Sequence, residues 1–181
     1  NIPADPLAPK KIDEVPRATL IKPNGGWCWY QGPRAIVTRD GHVVFTSISG
    51  DTFAGLDYGD LWATSWNPKT GKTEHFELHD KFQGDDHNVA GLLEKPNGSI
   101  LAIYGKHGSD SLQRYRSTKS AGSISTWTKE KTFSLKAPYT YSNVVQLSAE
   151  KGRIYNFSRS VGYNPNCSIS DNGGKSWKYG W

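Results

Sequence analysis

A repeat of strand-like runs joined by tight turns is the feature that most constrains what this chain can fold into. Three segments share one plan, in which an apolar run, a turn and a second apolar run follow each other. Their turn glycines are Gly41, Gly98 and Gly152, so successive units lie about 55 residues apart. The first two turns read Asp40-Gly41 and Asn97-Gly98, which suit tight hairpins because glycine tolerates positive φ. The repeat therefore predicts β-hairpins along the chain.

A second hairpin follows the first within a unit. Residues 61–66 and 73–78 flank a turn at 67–71, and residues 112–117 precede a looser partner at 126–133. No convincing stretch has apolar residues at helical spacing, and strand-like runs bounded by turn residues occur throughout. About four strands in about 55 residues is close to the size of a propeller blade.

We therefore predict an all-β fold, a β-propeller of four-stranded blades of which the chain supplies about three. The blades are expected at about residues 24–80, 81–135 and 136–181, after an extended proline-rich lead-in at residues 1–23. Closed propellers have about four to eight blades, and fewer would leave edge strands and apolar faces exposed. We expect the remaining blades to come from the same or another chain, and the isolated piece to be aggregated or molten.

The third unit ends in a motif that resembles the Asp-box of sialidase-like propellers. It reads Ser-Asp-Asn-Gly-Gly-Lys-Ser-Trp at residues 170–177, with Asn172 in place of the usual aspartate and Ser176 in place of threonine. Both substitutes keep a short polar group that can bond the turn backbone. We expect Trp177 to pack between blades and give the motif no catalytic role. Residues 125–127 look like a degenerate copy.

Composition sets broad limits on partners. The formal net charge is +5 without a block of like charges, which permits either nucleic acid or an acidic polysaccharide as a polyanionic partner. No apolar run is long enough to span a membrane. Cys28 and Cys167 leave two readings open, a disulfide or two buried thiols.

Polar residues at the strand ends of different units are the candidates for chemistry. The first strand of each blade lines the central channel, so residues near its ends gather at one mouth. Each alone has an ordinary structural explanation, but together they offer a base, an acid and a carboxylate clamp. The candidates are Arg34, His87, Asn88, His107, Tyr141, Asn143 and Arg159. His75 and His79 lack a third ligand nearby, so no metal site is predicted.

These stretches resemble the BNR-repeat propeller family that contains the ulvan lyases. The resemblance runs from about Gly25 to Trp177, and because the family's propeller has seven blades, the chain resembles its N-terminal half. It is carried, in order, by Gly-Trp-Cys-Trp-Tyr-Gln-Gly-Pro-Arg-Ala at 26–35, Asp-Asp-His-Asn at 85–88, Lys-His-Gly at 106–108, Thr-Tyr-Ser-Asn at 140–143, Tyr-Asn-Phe-Ser-Arg at 155–159 and the motif before Trp177.

The resemblance implies a polysaccharide lyase that cleaves ulvan or a similar sulfated, uronate-containing polymer by β-elimination. It implies that His87 and Tyr141 form the acid/base pair, with the assignment between them open, that Arg159 clamps the uronate carboxylate, and that His107 helps to neutralise or orient the substrate. The implied substrate contacts are Asn88, Arg34 and Asn143.

The same resemblance implies no required cofactor and leaves room for a structural metal ion. The expected partner is an acidic polysaccharide rather than nucleic acid or a membrane, and the expected location is secreted or periplasmic, in a bacterium. Two alternatives stay open: a sialidase-type glycoside hydrolase, suggested by the Asp-box and the arginines, and a non-catalytic carbohydrate-binding propeller, suggested by the tryptophans and tyrosines.

Overall fold

Three four-stranded antiparallel sheets make up the computed structural model, which describes residues 19–30, 32–50 and 58–181. Each sheet is one blade, with its strands in sequence order. The described residues contain no α-helix; short 3-10 turns lie at Asp86–Asn88, Ser148–Glu150 and Val161–Tyr163. The strands are β1 Ala35–Val37, β2 Val43–Ile48, β3 Leu61–Trp66, β4 Thr73–His79, β5 Gly91–Glu94, β6 Ile100–Tyr104, β7 Leu112–Ser117, β8 Lys131–Ser134, β9 Thr140–Leu147, β10 Arg153–Arg159, β11 Pro165–Ser170 and β12 Lys178–Tyr179.

The predicted fold class is confirmed, with three blades in the described residues. The turn glycines Gly41, Gly98 and Gly152 have φ of +85°, +78° and +77°, the backbone that the predicted hairpins require. Of the predicted lead-in at 1–23, residues 1–18 lie outside the described part. Residue 31 and residues 51–57 lie outside the described part as well. Residue 31 belongs to the motif at 26–35, the first of those that carry the family resemblance.

Strand β6 of the second blade is buried on both faces. Alternate residues of β6 point to opposite sides, and all five are at most 1% exposed. Ile100, Ala102 and Tyr104 pack toward the first blade, against Val44, Ile48, Leu61 and Leu78. Leu101 and Ile103 pack toward the third blade, against Val144, Ile154 and Trp177. These two apolar layers pack the second sheet between the first and the third.

The turn between β11 and β12, which resembles an Asp-box, is organised by the side chain of Asn172. Its Oδ1 accepts hydrogen bonds from the backbone nitrogens of Lys175 (3.1 Å) and Ser176 (3.0 Å), and its Nδ2 donates to Oγ of Ser176 (2.7 Å). Trp177 then packs between the second and third blades. Trp127 occupies the corresponding place between the first and second blades.

The segment before β1 ties the inner strands together. The carbonyl of Pro33 accepts from the backbone nitrogen of Leu92 in β5 (3.1 Å), and the carbonyl of Gly32 accepts from that of Val144 in β9 (2.9 Å). The residues just before this segment are thereby carried to the inner strand ends of the second and third blades.

Cys28 and Cys167 are both buried and both free thiols, so the reading as two buried thiols is the one that the structure adopts. No helix in the described part is long and apolar enough to cross a membrane.

Candidate active site

The carboxylate of Asp85 connects two histidines from different loops. Its Oδ1 accepts hydrogen bonds from the backbone nitrogen of His87 (2.9 Å) and from Nδ1 of the same residue (2.7 Å). Its Oδ2 accepts from Nδ1 of His107 (2.8 Å). His87 lies in the turn before β5 and His107 follows β6. Their rings stack with centroids 4.2 Å apart and planes inclined by 20°.

Hydrogen bonding keeps Asp85 ionised. Partial burial would raise the pKa of its carboxyl, but the hydrogen bonds from His107 and from the backbone and ring of His87 outweigh that effect and lower the pKa below its usual value. An ionised carboxylate can only accept hydrogen bonds. We therefore assign a proton to Nδ1 of each neutral imidazole, which makes Nε2 the nitrogen that accepts a proton.

Gln83 and Asn88 form the support under this pair. Oε1 of Gln83 accepts from the backbone nitrogen of His107 (2.9 Å) and from Nδ2 of Asn88 (3.1 Å). The side chain of Asn88 is fully buried and also donates to the backbone carbonyl of Gln83 (3.2 Å). Asn88, expected as a substrate contact, therefore lies beneath the loop, where its amide bonds to the protein instead of facing the cleft.

Tyr141 reaches the histidines through an unusual backbone conformation. It is the second residue of β9 and has φ of +68°, a region that costs a non-glycine residue about 1–3 kcal/mol. The register between β9 and β10 shifts here, between Phe157 and Arg159, and such an irregularity redirects a side chain. The Tyr141 ring lies 5.5 Å from that of His87 and 5.7 Å from that of Tyr30.

Burial raises the pKa of the Tyr141 phenol, although the positive charge of Arg159 acts in the opposite direction. The phenol is therefore protonated at neutral pH. It stands next to the histidine pair as a group that can donate a proton.

Arg159, the last residue of β10, lies between two tyrosine rings. Its guanidinium carbon is 5.1 Å from the ring centroid of Tyr141 and 5.2 Å from that of Tyr163. Nη2 donates to Oγ1 of Thr140 (3.3 Å). Among the described residues no carboxylate lies within ion-pair distance of Arg159. Arg159, His107, Thr140 and Tyr163 line a cleft of about 390 Å³, large enough for a sugar residue.

Arg34 and Asn143 occupy neighbouring places. Arg34 lies over the ring of Trp27 at 4.8 Å and donates to the backbone carbonyl of Cys28 (3.4 Å). It lines a second cleft of about 440 Å³ together with Trp27 and Pro33. Asn143 donates from Nδ2 to the carbonyl of Phe157 (3.4 Å), so its amide is engaged in the inner strand pairing.

Three exposed aromatic residues for which the sequence predicted no role lie near the site: Tyr163 lines the cleft, and Tyr30, next to Trp29, packs against Tyr141. Trp29 is 72% exposed, Tyr30 58% and Tyr163 82%. The rings of Trp29 and Tyr30 lie 5.7 Å apart. The sequence feature that could have pointed to Trp29 and Tyr30 is the dense aromatic run at residues 27–30. No sequence feature pointed to Tyr163, because only the return of the chain after β10 brings it next to Arg159.

Asp85, His87 and His107 together carry donor atoms of the kind that bind metal ions. One ligand atom from each lies within 4.8 Å of the others. However, the Nδ1 atoms of both histidines contact carboxylate oxygens at 2.7 and 2.8 Å, the lengths of charge-assisted hydrogen bonds. The contacts fit a protonated Nδ1 on each ring better than a shared cation.

Fold and site together define a β-propeller protein whose inner strand ends gather two histidines, a tyrosine and an arginine beside a sugar-sized cleft. A sequence model described as "BNR repeat-containing family member" matches residues 54–179, and the chain belongs to that family. None of the curated proteins matches the chain.

Solved structures share the fold at low identity. An ulvan lyase of a new polysaccharide lyase family, PL25, bound to -[GlcA(1-4)Rha3S]-, is 19% identical with a TM-score of 0.63, over 86% of this chain and 39% of that chain. Another structure described as the PL25 ulvan lyase is 20% identical with the same TM-score and coverage. The polysaccharide lyase Uly1 is 15% identical with a TM-score of 0.57, over 94% of this chain and 46% of that chain. The chain thus spans less than half the length of each.

Proposed function

We propose that this chain carries the catalytic residues of a lyase that cleaves a sulfated, uronate-containing polysaccharide by β-elimination. The observation that supports it most is the convergence of His87, His107, Tyr141 and Arg159, which come from separate strand ends in two blades. These residues combine a base, an acid and an unpaired cation, which are the groups that elimination next to a carboxylate requires.

Neutralisation of the uronate carboxylate is the first requirement, because it makes the neighbouring C5 proton acidic. Arg159 has no carboxylate partner among the described residues, and its planar guanidinium can bond both oxygens of a carboxylate. His107 lines the same cleft and can donate a hydrogen bond from Nε2 when it is protonated. Arg159 is therefore the clamp and His107 its auxiliary.

Proton transfer is assigned to His87 and Tyr141. Nε2 of His87 removes the C5 proton, and Asp85, held at Nδ1, stabilises the imidazolium that forms. The electron pair forms the C4–C5 double bond, the bond from C4 to the glycosidic oxygen breaks, and Tyr141 protonates that oxygen. The raised pKa of Tyr141 favours the acid role because it keeps the proton on the phenol until the oxygen leaves.

The substrate class is supported by charge and by surface chemistry. The chain has a net charge of +5, and exposed aromatic rings are available to stack on sugar faces. Tyr163 lines the cleft, and Tyr30, with Trp29 beside it, packs against Tyr141. One structure of the same fold was solved with -[GlcA(1-4)Rha3S]- bound. A polymer of this kind is met outside the cytoplasm, so we place the protein in the periplasm or outside the cell, in a bacterium. The scheme uses no cofactor.

The direct test is the ultraviolet absorbance of the unsaturated uronate product when the protein is mixed with ulvan. The absorbance is expected to rise with the unmodified protein and to stay flat with the His87→Ala variant. His75→Ala is the matched control, because His75 lies on β4, where Nδ1 contacts Oγ1 of Thr64 (3.0 Å), and it is expected to keep full activity. No rise with ulvan or with other uronate polymers would refute the proposal.

The second candidate is carbohydrate binding without catalysis, favoured by the exposure of Trp29 and Tyr163. Saturable binding of ulvan without any unsaturated product would favour this alternative.

The sialidase alternative needs three arginines around one carboxylate. Arg159 lines the cleft, whereas Arg34 is engaged by Trp27 and the carbonyl of Cys28. Release of sialic acid from a sialyl reporter substrate would support the sialidase alternative.

A further inference from the structure

A groove at the opposite end of the second blade gathers lysines from four strand ends. Lys95 follows β5, Lys119 follows β7, Lys131 begins β8, and Lys175 lies in the turn between β11 and β12 of the third blade. All four line one groove of about 370 Å³. The groove is therefore formed by two blades, and packing of the third blade adds Lys175 to the three lysines of the second.

The groove lacks compensating acids. None of its lining residues is aspartate or glutamate, and none of the four lysines has an ion pair in the described part of the chain. The acids closest in sequence are engaged elsewhere: Glu94 with Arg39, Glu130 with His79, and Asp171 with Arg153 and Lys178. The positive charge in the groove is therefore available to an anion.

Lys95 is the best placed of these cations. It is partly buried, and Nζ donates to Oγ of Ser117 at 3.0 Å. Burial, with a further effect from the charge of Lys175, lowers the pKa of Lys95. A like charge near a partly buried ammonium is unfavourable unless an anion offsets it. Thr118 and Thr128 add hydroxyl donors to the wall.

We propose that this groove binds sulfate groups of a polysaccharide at a site separate from the cleft. Lysine ammonium groups on flexible stems suit a compact, permanently charged anion. Stacking on bases, which single-stranded nucleic acid binding uses, is not provided, because the one aromatic residue of the groove, Tyr115, is only 7% exposed. The choice of a sulfated polysaccharide rests on the proposed function.

Strand β6 separates the groove from the cleft. Ser99, before β6, lines the groove, and His107, after it, lines the cleft. Five residues of extended strand span about 16 Å, so one sugar residue cannot occupy both places. A second attachment point would hold the enzyme on its polymer between cleavage events by raising the effective concentration of chain near the cleft.

Amine acetylation read by peptide mass spectrometry tests the groove directly in the intact protein. Dextran sulfate is expected to slow modification of Lys95, Lys119 and Lys175 by about fivefold or more, and uncharged dextran to have no effect. Lys69 and Lys72, exposed in the turn between β3 and β4, are the internal control and are expected to react at the same rate throughout. Added salt is expected to reverse the protection. Uniform protection of all lysines, or none at the groove, would overturn the proposal.

Matched double variants give the affinity. Lys95→Ala with Lys175→Ala is expected to weaken binding of dextran sulfate by about five- to thirtyfold, and Lys69→Ala with Lys72→Ala to leave it unchanged. Equal protection of the groove by single-stranded DNA would also overturn the proposal, because the surface would then be a general polyanion site. Lyase activity is measured separately. Protection of the groove lysines without formation of unsaturated product would contradict only the proposed function. Product formation without protection of the groove lysines would contradict only the proposed groove site.

Discussion

The imidazole rings of His87 and His107 stack 4.2 Å apart, and both direct Nδ1 at the carboxylate of Asp85. A second carboxylate lies at the edge of the pair, because Oδ1 of Asp86 is 2.8 Å from Nδ1 of His87, but only Asp85 contacts both rings. Asp85 contacts Nδ1 of both rings and therefore sets the tautomer of each.

Asp85→Asn is expected to lower kcat of the proposed lyase by about a hundredfold or more while the protein stays folded. The amide of asparagine can donate to Nδ1, and this would move the histidine proton to Nε2, where the base must be unprotonated. The measurement is product formation across pH for both proteins. Asp80→Asn is the control, because Asp80 is exposed directly after β4. A loss as large in that variant would contradict the assignment.

Acid stability is expected to follow the same carboxylate. The pKa of Asp85 is lower in the folded protein than in the unfolded chain, so its stabilising contribution is present above the unfolded value of about 3.9 and is lost as the pH falls through the folded value. Thermal melts between pH 7 and pH 3 should show a steeper loss of Tm at the acid end for the unmodified protein than for Asp85→Asn. Parallel curves would show that the hydrogen bonds contribute little.

Tyr141→Phe is expected to lower turnover of ulvan by about 10²- to 10⁴-fold, because the leaving oxygen loses its acid. A uronide with an activated aryl leaving group at C4 needs no proton, so the variant should cleave it nearly as fast as the unmodified protein. His87→Ala should fail on both substrates. If Tyr141→Phe fails on both and His87→Ala fails only on ulvan, the two roles are reversed.

Arg159→Lys is expected to keep the charge but to lose bidentate contact, with a fall in kcat/KM of about tenfold or more. The same variant should bind a polymer whose carboxylates are esterified about as well as the unmodified protein does. Arg153→Lys is the control, because Arg153 pairs with Asp171 and Glu150 at the other end of β10. An equal loss in both variants would contradict a specific carboxylate contact of Arg159, because neither substitution changes the charge.

Leu101→Ala is expected to destabilise the protein by about 2–5 kcal/mol, because Leu101 is fully buried between the second and third blades. Leu20→Ala removes the same atoms from a residue that is 58% exposed and is expected to change stability by about 0.5 kcal/mol or less. Denaturant unfolding of both variants gives the comparison. Similar values would mean that the blades do not depend on this layer.

Chelation is expected to leave both Tm and turnover unchanged, since the Nδ1 atoms of His87 and His107 make hydrogen bonds to Asp85 that do not need a cation. The measurement is activity and melting after dialysis against EDTA, with added calcium or zinc as the reverse arm. Loss of activity that zinc restores would instead make these three residues metal ligands.

Sequence reasoning reached the strands and the turns with few errors of position. One feature that the sequence did not indicate is the conformation of Tyr141, which lies inside β9 as its second residue. The residue types did not predict the positive φ of Tyr141, because this conformation is locally unfavourable for a tyrosine. The pairing of β9 with β10 stabilises it. Likewise, Asn88 has the chemistry of a sugar contact, and only burial reveals that its amide bonds to Gln83.

The sequence by itself determined the fold class, the hairpin turns and the residue types available for chemistry. These depend on alternation of apolar residues and on the φ preference of glycine, which act over a few positions. Tertiary structure alone decided which side chains meet: Asp85 between two imidazoles, Arg159 between Tyr141 and Tyr163, and four lysines in one groove. Those contacts depend on how whole sheets pack face to face. Because the residues involved are far apart in the chain, no local sequence pattern predicts them.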